Sequence, residues 1–327
     1  MSTARTRPLA WRGATTAVVE TSQEETVDFD DDATLDTSQI DDRRGAPSAG
    51  RGGGRGSALG GAAVYKMAGG GVFGLVALVA FVVISGGLGG PTPDAPLPSS
   101  GSQNLAAACR SGADADTKPE CRIVAAVNSV QAYWTSALAT SRTPYRAATT
   151  VFFTNSVSTG CGSATSDAGP FYCPADQTVY LDLGFFDQLR RDFGANGGAF
   201  AETYVIAHEY GHHVQHLLGY DQLVGRDRTG PQSGSVKLEL QADCLAGVWA
   251  RNAVSTGFVT AITQADIEDG LDAASVIGDD RIQQKMQGRV NPEAFSHGTS
   301  AQRQRWLTTG YQKGTANACN TWDAAVL

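Results

Sequence analysis

HEYGHHVQ, residues 208–215, carries three of the five histidines in this 327-residue chain. The stretch lies inside AFAETYVIAHEYGHHVQHLLG, which is apolar enough for a buried helix and ends at Gly219, a natural helix stop. On a helix, His208 and His212 stack one turn apart, roughly 6 Å along the axis, so both imidazoles can reach one ion. Glu209 follows the first of them, placed to take a proton from water at that ion. Two histidines and a glutamate on a buried helix are costly without such a partner. A catalytic zinc takes three protein ligands and keeps one position open. The fold must therefore bring a third ligand to this helix.

The local candidates fail. Gln215 and Leu218 stand where an extended HExxH motif would place Gly and its third His. His213 points to another face of the helix, and His216 lies a further turn from His208. A carboxylate or His297 remains. The best carboxylates lie in SVKLELQADCLAGVWA, residues 235–250, where Ser235 can cap a helix and Glu239 and Asp243 fall four apart on one face. One of the two can bind zinc while the other receives the N–H of a ligand histidine. Leu238, Leu240, Ala242, Leu245, Ala246 and Trp249 leave this helix little polar surface, which argues against solvated acids. A site of His208, His212 and Glu239 results, with Glu209 as the base. His297, in SHGTSAQRQRW, precedes the capping-box spacing Thr299–Gln302, so a helix begins beside it. It is placed either to donate to a developing oxyanion or to hold its own turn, and Arg303 or Arg305 is placed to anchor that turn.

Around this motif pair the chain divides by composition. A net charge of −8 argues against a nucleic-acid partner. Residues 1–63 are polar and aperiodic and read as a disordered tail. Asp28, Asp30 and Asp32 resemble the start of a calcium loop, but Ala33 replaces the turn glycine and Gln39 the bidentate glutamate. Residues 64–88 contain the uncharged run MAGGGVFGLVALVAFVVISGGL, long enough at roughly 20 residues to span a bilayer. About 65 residues precede it and no small-residue cleavage site follows, which favours an uncleaved anchor over a signal peptide. Arg43, Arg44, Arg51, Arg55 and Lys66 flank it on one side only, which predicts a cytoplasmic N-terminus and an extracytoplasmic remainder. Residues 89–102 read as a Pro/Gly/Ser linker, and residues 103–327 as the soluble domain. All six cysteines, Cys109, Cys121, Cys161, Cys173, Cys244 and Cys319, fall in that domain, as disulfides in an oxidising compartment require. Cys161 and Cys173 suit a local bridge, and Cys244 is left to Cys319 by elimination.

Within the domain, Pro119 suits the first turn of a helix bearing Ile123, Val127, Val130, Trp134 and Leu138. Strands are expected at Thr149–Phe153 and Thr178–Leu183, and helices dominate from Phe200 onward, so the fold class is α+β. TVYLDL, residues 178–183, is expected as an edge strand to which an extended peptide could pair.

These residues carry a family resemblance. AETYVIAHEYGHHVQHLLG together with VKLELQADCLAGVWA resembles the membrane-anchored bacterial family of neutral zinc metallopeptidases. DDRRG at 41–45, CPADQTVYLDLGFF at 173–186, FSHGTSAQRQRW at 295–306 and ACNTW at 318–322 extend the likeness. The ExxxD spacing is similar to that of HExxH peptidases related to CAAX-processing and stress-response membrane proteases. The resemblance implies a zincin, gluzincin-like domain with one Zn2+ per chain, Glu239 as ligand and Asp243 supporting a histidine, with His208 expected. It implies a membrane-anchored endopeptidase acting on peptide or protein substrates outside the cytoplasmic membrane. The competing expectation is a proteolytically inert, zinc-stabilised envelope-binding module. Glu209 tells against it, since a structural zinc has no use for a carboxylate beside its first ligand.

Overall fold

A computed structural model of the protein describes residues 27–45 and 100–327. Two short strands, β1 (Asp28–Phe29) and β2 (Ile40–Asp42), come first. Helices α1 (Ser100–Ala108), α2 (Gly112–Thr117) and α3 (Pro119–Ala137) follow, the last with Pro119 in its first turn as expected. Then come β3 (Thr149–Phe153), the hairpin β4 (Ser156–Thr159) and β5 (Gly162–Thr165), β6 (Phe171–Cys173) and β7 (Thr178–Asp182). Helices α4 (Gly184–Gln188), α5 (Ala199–Leu218) and α6 (Gly234–Asn252) lead to β8 (Val259–Ala261). Helices α7 (Gln264–Val276), α8 (Asp279–Gln287) and α9 (Ser300–Lys313) close the chain. The class is mixed α+β, with small sheets against many helices. Ser233 rather than Ser235 caps α6, its side chain accepting from the Val236 N–H, because the helix begins at Gly234.

The main sheet has the order β2-β3-β7-β6, with β2, β3 and β7 parallel and β6 antiparallel to β7. Period-two alternation gives it two buried faces. Phe152, Tyr172, Val179 and Leu181 join the helical core, while Val151, Phe153, Phe171 and Tyr180 pack beneath the β4–β5 hairpin with Val157 and Ala164. The expectation that Thr178–Leu183 is an edge strand is therefore corrected. β7 is interior, paired on both sides, and β2 and β6 are the edges. Burial on both faces explains why the middle of β7, Val179–Leu181, carries large, mostly apolar side chains at three successive positions.

The reading of residues 1–63 as disordered does not hold for 27–45. β1 pairs with β8, β2 pairs with β3, and Val27, Phe29, Leu35 and Ile40 are between 1% and 7% exposed in the main core. Each such burial contributes about 1.5–3 kcal/mol, which offsets part of the entropy lost in ordering the segment. The signal was hidden because the apolar residues are separated by acids and no periodicity spans so short a segment. Met67–Leu88, expected as the anchor, lies outside the described residues, as does the linker up to residue 99, whereas residues 100–102 already belong to α1. Among the described residues, no helix is long and apolar enough to cross a membrane.

Two close helix crossings bring the chemistry together. Gly211 of α5 faces α6, where an added Cβ would stand 3.1 Å from both Cα and O of Ala242. The glycine inside HEYGH thus lets α6 approach until Glu239 and Asp243 reach the histidines. Against the other side of α6, a Cβ on Gly310 of α9 would overlap the carbonyl of Cys244. Disulfides join Cys109–Cys121, Cys161–Cys173 and Cys244–Cys319, and no cysteine is free. The last ties the C-terminal segment to α6 across 75 residues.

Candidate metal centre

His208 and His212 project from α5 and Glu239 from α6, with one ligand atom of each within 4.8 Å of the others and all three residues buried. Nε2 of His208 is 3.2 Å and Nε2 of His212 is 3.5 Å from the Glu239 carboxylate oxygens. His212 Nε2 and Glu239 Oε2 are buried yet make no hydrogen bond. Such orphaned atoms are expensive unless something else satisfies them. Two imidazole nitrogens and a carboxylate converging on one point form a donor set that zinc favours, so the residues fit the ion.

Each histidine is held from behind. Nδ1 of His208 lies 2.8 Å from Oδ1 of Asp243, which leaves Nε2 as the free donor atom. Asp243 is fully buried and also accepts from Tyr204 Oη at 2.6 Å and from Arg303 Nε and Nη2 at 2.8 and 2.9 Å. Nδ1 of His212 lies 2.8 Å from Oε1 of Gln215, whose amide donates to Leu238 O at 2.7 Å and to Gln241 Oε1 at 3.0 Å. Gln241 donates in turn to Cys319 O at 3.0 Å, beside the Cys244 bridge.

The electrostatics follow from this packing. Burial alone would lower the His208 pKa, but Asp243 and Glu239 outweigh it and hold it at about 10, so the pocket favours a positive charge at this place. Burial would raise Glu239, yet His212 and His297 hold it well below the usual carboxylate range. Burial also opposes ionisation of Asp243, but Arg303 and His208 keep its pKa at about 2. Glu209 behaves oppositely: desolvation raises its pKa, with His208 and His212 only partly opposing. Its Oε2 is buried and unpaired.

His297 lines the same cleft as His208, Glu209 and Glu239. Its turn is held by Asp279, whose Oδ2 accepts from the backbone N–H groups of Ser296, His297 and Gly298 at 2.7, 2.7 and 3.0 Å. Burial would lower the His297 pKa, but Glu239 and Asp279 outweigh it and raise it. His213 has a structural place, 2.6 Å from Arg146 O and 3.0 Å from Tyr172 Oη, and burial pushes its pKa down to about 4. His216 pairs outward with Asp221 at 2.7 Å.

The structure thus assembles His208, Glu209, His212, Glu239, Asp243 and His297. Neither arginine anchors the His297 turn, which Asp279 holds: Arg303 reaches the site by binding Asp243 and Tyr204, and Arg305 donates to Leu327 O. The sequence reading missed Gln215, Tyr204 and Asp279. Gln215 stands three residues after His212, and that spacing was a usable signal. Asp279 carried none, since its partners are backbone groups of a distant turn.

A sequence model of the family described as "Putative neutral zinc metallopeptidase" matches residues 32–322, and the chain belongs to that family. The uncharacterized protein Rv2575 of Mycobacterium tuberculosis is 50% identical over 229 residues, 67% of this chain and 76% of that protein. The uncharacterized protein YpfJ of Escherichia coli K12 is 46% identical over 181 residues, 54% of this chain and 62% of that protein. No solved structure matches the chain.

Proposed function

We propose that this protein is a zinc-dependent endopeptidase of gluzincin type, acting in an oxidising compartment outside the cytoplasmic membrane. The observation that carries the reading is Glu209. Its buried, unpaired carboxylate shares one cleft with the His208–His212–Glu239 donor set and with His297. A structural metal would leave that carboxylate without a task. The disulfides support the compartment.

His208, His212 and Glu239 would hold zinc, which when bound supplies a Lewis acid that polarises a carbonyl and acidifies water. Glu209, whose pKa desolvation raises, takes the proton of the attacking water and returns it to the leaving amine. His297, with Nδ1 2.9 Å from Ser296 Oγ and 3.3 Å from Asp279, is oriented to donate from Nε2 to the developing oxyanion. The Asp243–Arg303–Tyr204 cluster keeps the His208 ring in place. Phe185, Phe193, Val205, Ile277 and Ile282 line the rest of the cleft, which favours a large apolar side chain beside the scissile bond. Ala168–Pro170, leading into edge strand β6, also line the cleft, which puts a strand edge beside it for pairing with an extended peptide.

The test compares the full-length protein with its Glu209→Gln variant for bound zinc and for cleavage of casein at neutral pH. Near one zinc per chain in both, with cleavage lost by roughly 10²–10⁴-fold in the variant, is expected. Equal cleavage in both, or no zinc uptake by the parent, would overturn the reading.

A further inference from the structure

The strands that precede the apolar run Met67–Leu88 are built into the body that follows it. Thr34 pairs with Ser111 in an antiparallel bridge, flanked by Leu35 N–H to Arg110 O and Gly112 N–H to Ala33 O, both 3.0 Å. Gly112 passes so close to the chain that a Cβ there would overlap the Asp30 carbonyl. Asn128 of α3 accepts from Asp36 N–H at 2.8 Å and donates back to Asp36 O at 3.0 Å. Ile40–Asp42 lies in parallel register with Thr150–Phe152, and the Arg44 guanidinium stands 5.1 Å over the Phe152 ring. The family match likewise begins at residue 32, on the near side of the run.

A helix that crosses a bilayer once separates its two flanks by a hydrocarbon layer about 30 Å thick. Strand pairing at hydrogen-bond distance between those flanks excludes that arrangement. The charge bias that suggests an inside tail is counted within about 15–20 residues of the membrane ends. Arg43 and Arg44 fall outside this window and are bound in the fold, paired with Asp41 and Asp42 at 2.7 and 2.6 Å. Only Arg51, Arg55 and Lys66 remain to support it.

We infer that residues 27–45 lie with the 100–327 body on the oxidising side, so that Met67–Leu88 does not carry the chain across the membrane a single time. This holds whether or not the metal centre is proteolytic.

Thr34 and Gln287 are both exposed, and the native cysteines are all paired and silent to thiol reagents. The full-length protein carrying either Thr34→Cys or Gln287→Cys is treated in intact bacterial spheroplasts with a membrane-impermeant maleimide, and again after lysis. Labelling of both positions to the same extent before lysis is expected. Labelling of Gln287→Cys alone before lysis would overturn the inference. Both silent until lysis, with the native disulfides reduced, would overturn the assignment to the outer side. The double variant Thr34→Cys/Ser111→Cys guards against misfolding. The two residues face each other at a non-hydrogen-bonded position, the close Cβ geometry a disulfide needs. A bridge forming in the membrane without added oxidant supports the shared compartment, and its absence beside an intact Cys244–Cys319 bridge refutes it.

Discussion

Arg303 and Gln215 show how single residues outside the donor set govern it. Arg303 is 3% exposed and bound to both oxygens of a wholly buried Asp243. Removing one partner of such a pair leaves the other charge uncompensated. Arg303→Met is therefore expected to cost about 3–5 kcal/mol in unfolding free energy, measured by urea titration. Gln215 orients His212 without touching the metal position. Gln215→Ala is expected to weaken zinc binding by roughly 10–100-fold in a competitive chelator titration, with a smaller change in thermal stability. Equal zinc affinity in variant and parent would show that the His212 ring is held by packing alone. Asp279 is the comparable residue for His297. With three backbone N–H groups on one carboxylate oxygen, Asp279→Asn is expected to destabilise by about 1–3 kcal/mol and to lower cleavage with zinc retained.

At the scale of elements, the site depends on how closely α6 lies between α5 and α9. Gly310 lets α9 run against the Cys244 carbonyl, which carries Arg303 to Asp243. Gly310→Ala introduces a methyl group with no space and is expected to cost about 1–3 kcal/mol or more, read by thermal unfolding. The C-terminal segment acts on the site through a chain of contacts, from Cys319 O to Gln241, Gln215 and His212. Replacing Cys244 and Cys319 by serine releases a 75-residue loop, with an expected loss of about 4 kcal/mol in unfolding free energy. Because Gln241 is then freed to shift, zinc affinity should fall as well, and chelator titration of the double variant checks it.

For the whole molecule, the N-terminal segment decides where the folded unit begins. A chain starting at residue 103 lacks β1 and β2 and exposes the surfaces that Val27, Phe29, Leu35 and Ile40 cover. Such a chain is expected to unfold at a much lower temperature than the full-length protein, and calorimetry or circular dichroism checks it. An unchanged midpoint would mean that these strands are decoration. The truncation also exposes the β3 edge, an invitation to strand pairing between copies.

The sequence by itself determined the motif helix, its glycine stop, α3, strand β3, the α+β class and the candidate residues His208, Glu209, His212, Glu239 and Asp243. These are local: a spacing of four on a helix, a capping pair or an apolar run carries its meaning without the rest of the chain. Only the tertiary structure decided that β2 and β6, and not β7, are the edges, since strand order is set by pairing between segments far apart. It alone placed residues 27–45 in the fold, because four buried side chains among acids gain their stability from a core that other segments build. It sent Arg303 to Asp243 rather than to the His297 turn and revealed Gln215, Tyr204 and Asp279, whose roles depend on which atoms lie within about 3 Å once helices have packed. Spacing names the groups that can do chemistry, and packing decides which of them are dry, paired and aimed.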